Sequence, residues 1–340
     1  MALMIGGAPS TGSSLLRQIL NRHSNIYCGP ETRLLSIREL YLNWGNSKNR
    51  LFRKGPLGVR PNAWHNITGI LCTGVELYPN QKQVKELVKN THSFESFISS
   101  FFKELLEKNN KHYWAEKTPN NVYCIDEFLS SFPLGKVIVT IRDPLEIICS
   151  LLDKGNSLFA ALSHTLIHLS LAAGYEKSDR LFILPYEHLI ENPENTIRKI
   201  CLFIDQPYEP GMLLPQKHRK VQGKTKLQGW RHSETEKVTV PKSKRFDQLN
   251  QNLQKELITA MQMLVFSPSL MKTERKPSAH FSALYDELPY VAPNWTSQNP
   301  IKILQQLQLE KRKDQAYRLK KLQLKFLNHY PIQLTKHMFS

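Results

Sequence analysis

Gly7 and Gly12, separated by four residues, stand between an apolar run (Ala2 to Ile5) and a helix-like segment (Leu15 to Arg22). A strand, a glycine-bearing turn and a helix start, in that order, aim bare backbone N–H groups at a phosphate. The glycine spacing is that of a P-loop. In a nucleotide triphosphatase the next residue is Lys, which reaches the β- and γ-phosphates, while a Ser or Thr holds Mg²⁺. Here the next residue is Ser13. A ligand with neither γ-phosphate nor metal has no use for that lysine. It still needs the amide cradle and hydroxyl donors, which Thr11, Ser13 and Ser14 supply. A 5′-phosphosulfate nucleotide is one such ligand.

The rest of the chain reads as an α/β protein. Lys136 to Ile141 is the clearest strand, a nearly continuous apolar run suited to a central parallel position covered on both faces. Ile26 to Cys28, His112 to Ala115 and Leu181 to Leu184 read as further strands. Helical patterns cover Leu34 to Leu42, Gln81 to Lys89, Phe94 to Lys108, Asn120 to Ser131, Leu145 to Leu152, Asn156 to Tyr175, Pro193 to Phe203 and Leu249 to Val265. Phe94, Phe97, Ile98, Phe101, Leu105 and Leu106 recur at helical spacing and read as core. Residues 43–80, rich in Asn, Gly and Pro, shape an acceptor pocket or form a surface excursion. Glu31, Lys117 and Arg142 all fall at strand ends, where open α/β sheets gather ligands.

With 340 residues and 41% hydrophobic content the chain can build a large core. The expected organisation is an α/β domain over residues 1–266, a linker or wrapping segment over 267–300, and a basic amphipathic helical extension over 301–340. Docking on the same chain is the default for that last helix; pairing in a homodimer and lying on an anionic surface are its alternatives. Five scattered cysteines, an odd number without a CxxC pair, argue against a disulfide framework or a zinc site, and Cys149 and Cys201 fall in apolar helical patterns. His164 and His168 stand one turn apart with no third ligand evident, so packing is the expectation. No run of about 18 apolar residues occurs, so no membrane span is expected. The first strand begins almost at once, leaving no room for a signal peptide, which implies a cytoplasmic location.

The net charge is +17, from 46 Lys and Arg against 29 Asp and Glu, which calls for anionic partners. Lys217 to Arg245 and Ile301 to Ser340 carry much of it. Neither segment interleaves aromatics regularly, and no nucleic-acid motif is visible, so nucleic acid is not the expected partner.

Several motifs together resemble the sulfotransferase family, which uses 3′-phosphoadenosine 5′-phosphosulfate (PAPS). The run Gly6-Gly7-Ala8-Pro9-Ser10-Thr11-Gly12-Ser13-Ser14-Leu15-Leu16-Arg17 is similar to that family's 5′-phosphosulfate loop. Cys28-Gly29-Pro30-Glu31-Thr32-Arg33 resembles a segment of its tyrosylprotein branch. Glu116-Lys117-Thr118-Pro119 matches a segment of several branches. Arg142-Asp143-Pro144, with Ser150 eight residues after the arginine, resembles the 3′-phosphate motif, and Tyr186-Glu187-His188-Leu189 a further one. The resemblance covers roughly Met1 to Arg231.

It implies a three-layer P-loop-like fold with a central parallel sheet flanked by helices, plus the C-terminal helical extension. It implies in-line transfer of a sulfuryl group from PAPS, without a metal, to an unknown acceptor hydroxyl on a tyrosine, glycan or small molecule. A basic surface suits an acidic acceptor. The implied donor-binding residues are Pro9, Ser10, Thr11, Gly12, Ser13, Ser14, Arg142, Ser150, Tyr186 and, from the basic loop Lys217 to Arg231, Lys224 or Lys226. Glu31 is the implied general base and Lys117 the group that steadies the bridging oxygen; His65, His92 and His112 are substitute bases. One departure stands out: the family usually has Arg or Lys where this chain has Ser10, and Lys117 or Arg17 would have to compensate. A phosphotransferase on the same fold, a polyanion or nucleic-acid binder, and an inactive donor-binding relative are the rival readings.

Overall fold

The computed structural model describes residues 1–29, 31–52, 81–175, 178–214, 244–267, 278–320 and 332–334. Its organising element is a five-stranded parallel sheet in the order β2–β3–β1–β4–β5, flanked by helices. The strands are β1 (Ala2–Gly7), β2 (Ile26–Cys28), β3 (Tyr113–Lys117), β4 (Lys136–Ile141) and β5 (Leu181–Pro185). β1 lies between β3 and β4, with Ile5 opposite Lys117 and Gly7 opposite Thr140. All six residues of β1 are buried, as an apolar central strand covered on both faces must be. The sheet runs two strands to one side of β1 and two to the other, so the carboxyl end of β1 is a point where the strand order reverses.

The chain divides into two compact units, the first being Met1–Gly7, Gly12–Thr140 and Lys177–Val240. On one face of its sheet Leu3, Ile5, Tyr113, Ala115 and Ile138 pack with Leu16, Ile19 and Leu20 of the Ser13–Asn21 helix and with Ile197 and Ile200 of the Pro193–Phe203 helix. On the other face Trp114 stacks on Phe102 at 4.3 Å between ring centroids and meets Phe128 edge-on. The Phe94–Asn109 helix buries Phe94, Phe97, Ile98, Phe101 and Leu105 of the expected stripe; Phe102 joins them, and Leu106 is only half-buried.

The second unit is Ala8–Thr11, Ile141–Glu176 and Pro241–Ser340. The Pro144–Asp153 helix starts on Asp143, whose carboxylate accepts the Leu145 N–H at 3.0 Å, with Pro144 at the first helical position. The Leu158–Ala173 helix is capped by Ser157. The Pro300–Lys320 helix docks on its own chain: Ile303 and Leu307 are buried, and Glu310 accepts the Phe159 N–H at 2.7 Å.

Several boundaries differ from expectation. β3 extends through Glu116 and Lys117, two charges that the sequence reading placed beyond the strand; both are buried and partnered, so they do not end it. The segment after Leu34 breaks into a 3₁₀ turn, Leu34–Ser36, and a short helix, Arg38–Leu42. Within 267–300 a two-turn helix, Phe281–Glu287, buries Phe281, Leu284 and Tyr285, a repeat too short to read as periodicity. A small antiparallel pair, β6 (Leu264–Phe266) with β7 (Ile332–Leu334), was not foreseen either. Cys28, Cys124, Cys149 and Cys201 are buried free thiols, and burial pushes Cys149 up to about 12. Among the described residues no helix is long and apolar enough to cross a membrane.

Candidate functional site

In the first unit the two loop glycines are sterically required. Gly7 has φ +145°, and a Cβ there would lie 2.3 Å from the Thr140 carbonyl oxygen. Gly12 has φ +79°, and a Cβ there would lie 2.4 Å from the Tyr186 ring. Tyr186, half-buried at the start of the Tyr186–Glu191 helix, therefore packs directly on the loop glycine.

Gly12 is also the N-cap of the Ser13–Asn21 helix. That helix start has no side-chain cap and no acidic residue in its first turn. Its leading amides and the positive end of its dipole are thus uncompensated by any side chain of the helix, which suits an anion. Ser13 is buried and Ser14 half-buried there.

Lys117 closes β3. Its side chain, 3% exposed, pairs with the Glu31 carboxylate, which is 24% exposed. The same ammonium donates to the Ser14 hydroxyl at 3.1 Å. Three residues singled out from separate motifs therefore meet on one cation. The neighbouring Glu116, fully buried, accepts hydrogen bonds from Thr32, Thr118 and Asn121. Burial raises its pKa above the usual carboxylate range, opposed by those bonds.

The second unit holds the loop's other part. Ser10 is in the left-handed region at φ +69°, a costly conformation for a residue with a Cβ. Arg142 donates to its carbonyl through Nη1 at 3.2 Å and pairs with Glu146 through Nη2 at 3.0 Å. Glu146 in turn accepts the Phe246 N–H at 2.9 Å, so the arginine fork is oriented from two sides. Lys154, just past the Pro144–Asp153 helix, donates to the Ser10 hydroxyl at 2.6 Å. Lys154 is an exposed residue, yet partial desolvation, then Arg245 and Arg142, lowers its pKa. Thr11 is buried and its hydroxyl donates to Ala8 O at 2.7 Å, so that hydrogen braces the loop itself. Pro9 is half-buried in the turn, and Ser150 is buried on the Pro144–Asp153 helix.

Lys224, Lys226, the rest of Lys217 to Arg231, and His65 lie outside the described residues. His92 and His112 are exposed, and His112 precedes the amino end of β3, the end opposite Lys117. Sequence reasoning missed Glu116 and Lys154. Glu116 stood inside a quoted motif but next to the more conspicuous lysine. Lys154, four residues after Ser150, looked like an ordinary helix end.

Residues 2–210 match the model of the sulfotransferase family. The chain belongs to the sulfotransferase family. Over 225 residues, 62% of its length, this sulfotransferase is 22% identical to the protein-tyrosine sulfotransferase of Drosophila melanogaster, of which the match covers 39%. It is 22% identical over 227 residues to protein-tyrosine sulfotransferase 1 of Danio rerio, covering 55% of that protein. The sulfotransferase thus spans about half the length of these relatives or less. Among solved structures it is similar to the sulfotransferase domain from the curacin biosynthetic pathway, at a TM-score of 0.47 and 17% identity over 86% of this chain and 98% of that one.

Proposed function

We propose that this sulfotransferase moves a sulfuryl group from PAPS to a hydroxyl acceptor, and that the acceptor is a tyrosine in an acidic stretch of protein. The observation that carries this reading is the buried ammonium of Lys117, shared by the Glu31 carboxylate and the Ser14 hydroxyl at an uncapped helix start. The residues present fit such a donor. The loop glycines leave no room for a side chain, and the helix start offers amides without a competing acid. The protein-tyrosine sulfotransferases among the relatives and the net charge of +17 support the acidic tyrosine acceptor.

When bound, the donor supplies a sulfuryl group already activated by its 5′-phosphate leaving group. The bond made is acceptor oxygen to sulfur and the bond broken is sulfur to the phosphate oxygen. Glu31 takes the acceptor's hydroxyl proton. Lys117 meets the charge that builds on the phosphate oxygen, and as a preorganised cation in a water-poor site it does so at little reorganisation cost. The amides at Ser13 and Ser14, with their hydroxyls, hold the 5′ side. Arg142, its fork set by Ser10 O and Glu146, binds the 3′-phosphate with Ser150. Lys154, hydrogen-bonded to Ser10, supplies the cation that the loop lacks at that position.

Calorimetry with 3′-phosphoadenosine 5′-phosphate (PAP), followed by radiolabelled PAPS and an acidic tyrosine peptide, tests the reading. Glu31→Gln should lose about 10²-fold or more in turnover while binding PAP as the parent does. Absence of PAP binding would overturn the donor assignment, and full turnover in Glu31→Gln would overturn the base.

A further inference from the structure

Glu116 is 1% exposed, and everything that touches it donates. The Thr32 N–H (2.9 Å), the Thr32 hydroxyl (3.0 Å) and the Thr118 hydroxyl (2.7 Å) converge on Oε1, and Asn121 Nδ2 reaches Oε2 at 2.6 Å. Four donors and no acceptor suit an ionised carboxylate. Burying one is costly unless it is fully hydrogen-bonded, as this one is.

The two hydroxyls pass the interaction on. Thr118 Oγ1 accepts the Arg33 N–H at 3.2 Å, and Thr32 Oγ1 accepts the Leu34 N–H at 3.2 Å. Three consecutive amides, at Thr32, Arg33 and Leu34, therefore end on Glu116, one directly and two through a hydroxyl. The turn they hold is strained: Arg33 has φ +60°, in the left-handed region. A residue with a side chain stays there only when its surroundings over-determine it. Asn121 also donates to Ile5 O at 3.0 Å, which ties the network to β1.

The residue just before this turn is Glu31. Successive side chains of a strand point to opposite faces, so Lys117 and Glu116 leave β3 on opposite sides. Lys117 takes the Glu31 carboxylate, and Glu116 takes the backbone that follows it.

We propose that Glu116 is a positioning residue for Glu31: through the strained 32–34 turn it sets where the Glu31 carboxylate stands. This rests on the reading of Glu31 as the base. Amide hydrogen exchange gives a readout independent of activity. Thr118→Val should speed exchange at Arg33, and Thr32→Val at Leu34, each by about tenfold, the loss of roughly one hydrogen bond. With the acidic tyrosine peptide, Thr118→Val should lose about tenfold in kcat with an unchanged Kd for PAP. Thr118→Ser, which keeps the hydroxyl, should recover most of that loss. Glu116→Gln should lose more, because its NH₂ confronts a donor; should it fail to fold, the Thr118 pair decides alone. Unchanged exchange at Arg33 and Leu34, or faster exchange with kcat within twofold of the parent, would overturn the proposal. A Thr118→Ser loss equal to that of Thr118→Val would do the same. Full activity in Thr118→Val beside a crippled Glu31→Gln would remove this inference alone; full activity in Glu31→Gln would remove the base reading and this one with it.

Discussion

Ser10 lacks the charge that the resemblance implies at its position. Lys117 or Arg17 would have to replace it. Lys117 is engaged with Glu31 and Ser14, whereas Lys154 donates to Ser10 itself. Desolvation first, then Arg245 and Arg142, lowers the pKa of Lys154. Lys154→Met should weaken PAP binding roughly tenfold or more, the scale of one charge-assisted hydrogen bond. Ser10→Arg in that background should restore it. Calorimetry reads both; undiminished affinity in Lys154→Met would exclude the compensation. The motif residues were readable because each motif names its residue types by position. Lys154 was not, because nothing in residues 142–154 indicates that a side chain beyond the helix reaches back to a loop 144 positions earlier.

At the level of elements, strands came through well where their apolar runs are long, as in β1 and β4, and poorly at β3, whose last two residues are charged. The Leu158–Ala173 helix is apolar nearly all round and is buried accordingly. His168 on it is 1% exposed, with Nδ1 2.7 Å from the His164 carbonyl oxygen, a packed histidine as expected. Burial, then His164, lowers its pKa to about 3. The unfolded chain binds that proton near pH 6.5 and the folded one only near pH 3, so the unfolded state holds more protons between them and stability falls as pH falls. The folding equilibrium should lose up to about tenfold per pH unit below ~6.5 from this group. Urea unfolding between pH 7 and 5 checks it: His168→Gln should flatten the dependence, and an identical slope would exclude His168 as its source.

For the whole molecule, the excess of 17 positive charges matters for what can approach it. An acidic tyrosine peptide should show a KM that rises severalfold as salt goes from low to about 0.15 M, where the Debye length shrinks to about 8 Å. A peptide with its acidic residues replaced by neutral ones should change little; equal salt response in the two would dissociate the charge from acceptor choice. The family match ends at residue 210, yet the chain beyond it builds real structure: the Gln251–Gln262 helix, β6 and the docked Pro300–Lys320 helix. Sequence alone settled the parallel α/β class, the glycine-bearing loop and the strand-end motifs. These depend on local patterns, apolar runs and steric demands at single positions. Only tertiary structure decided that Glu31, Lys117 and Ser14 share one ammonium, that Glu116 restrains the turn after Glu31, and that Lys154 serves Ser10. Those contacts join residues 84 to 144 positions apart, and their partners are chosen by how strands and helices pack, which no single stretch of chain encodes.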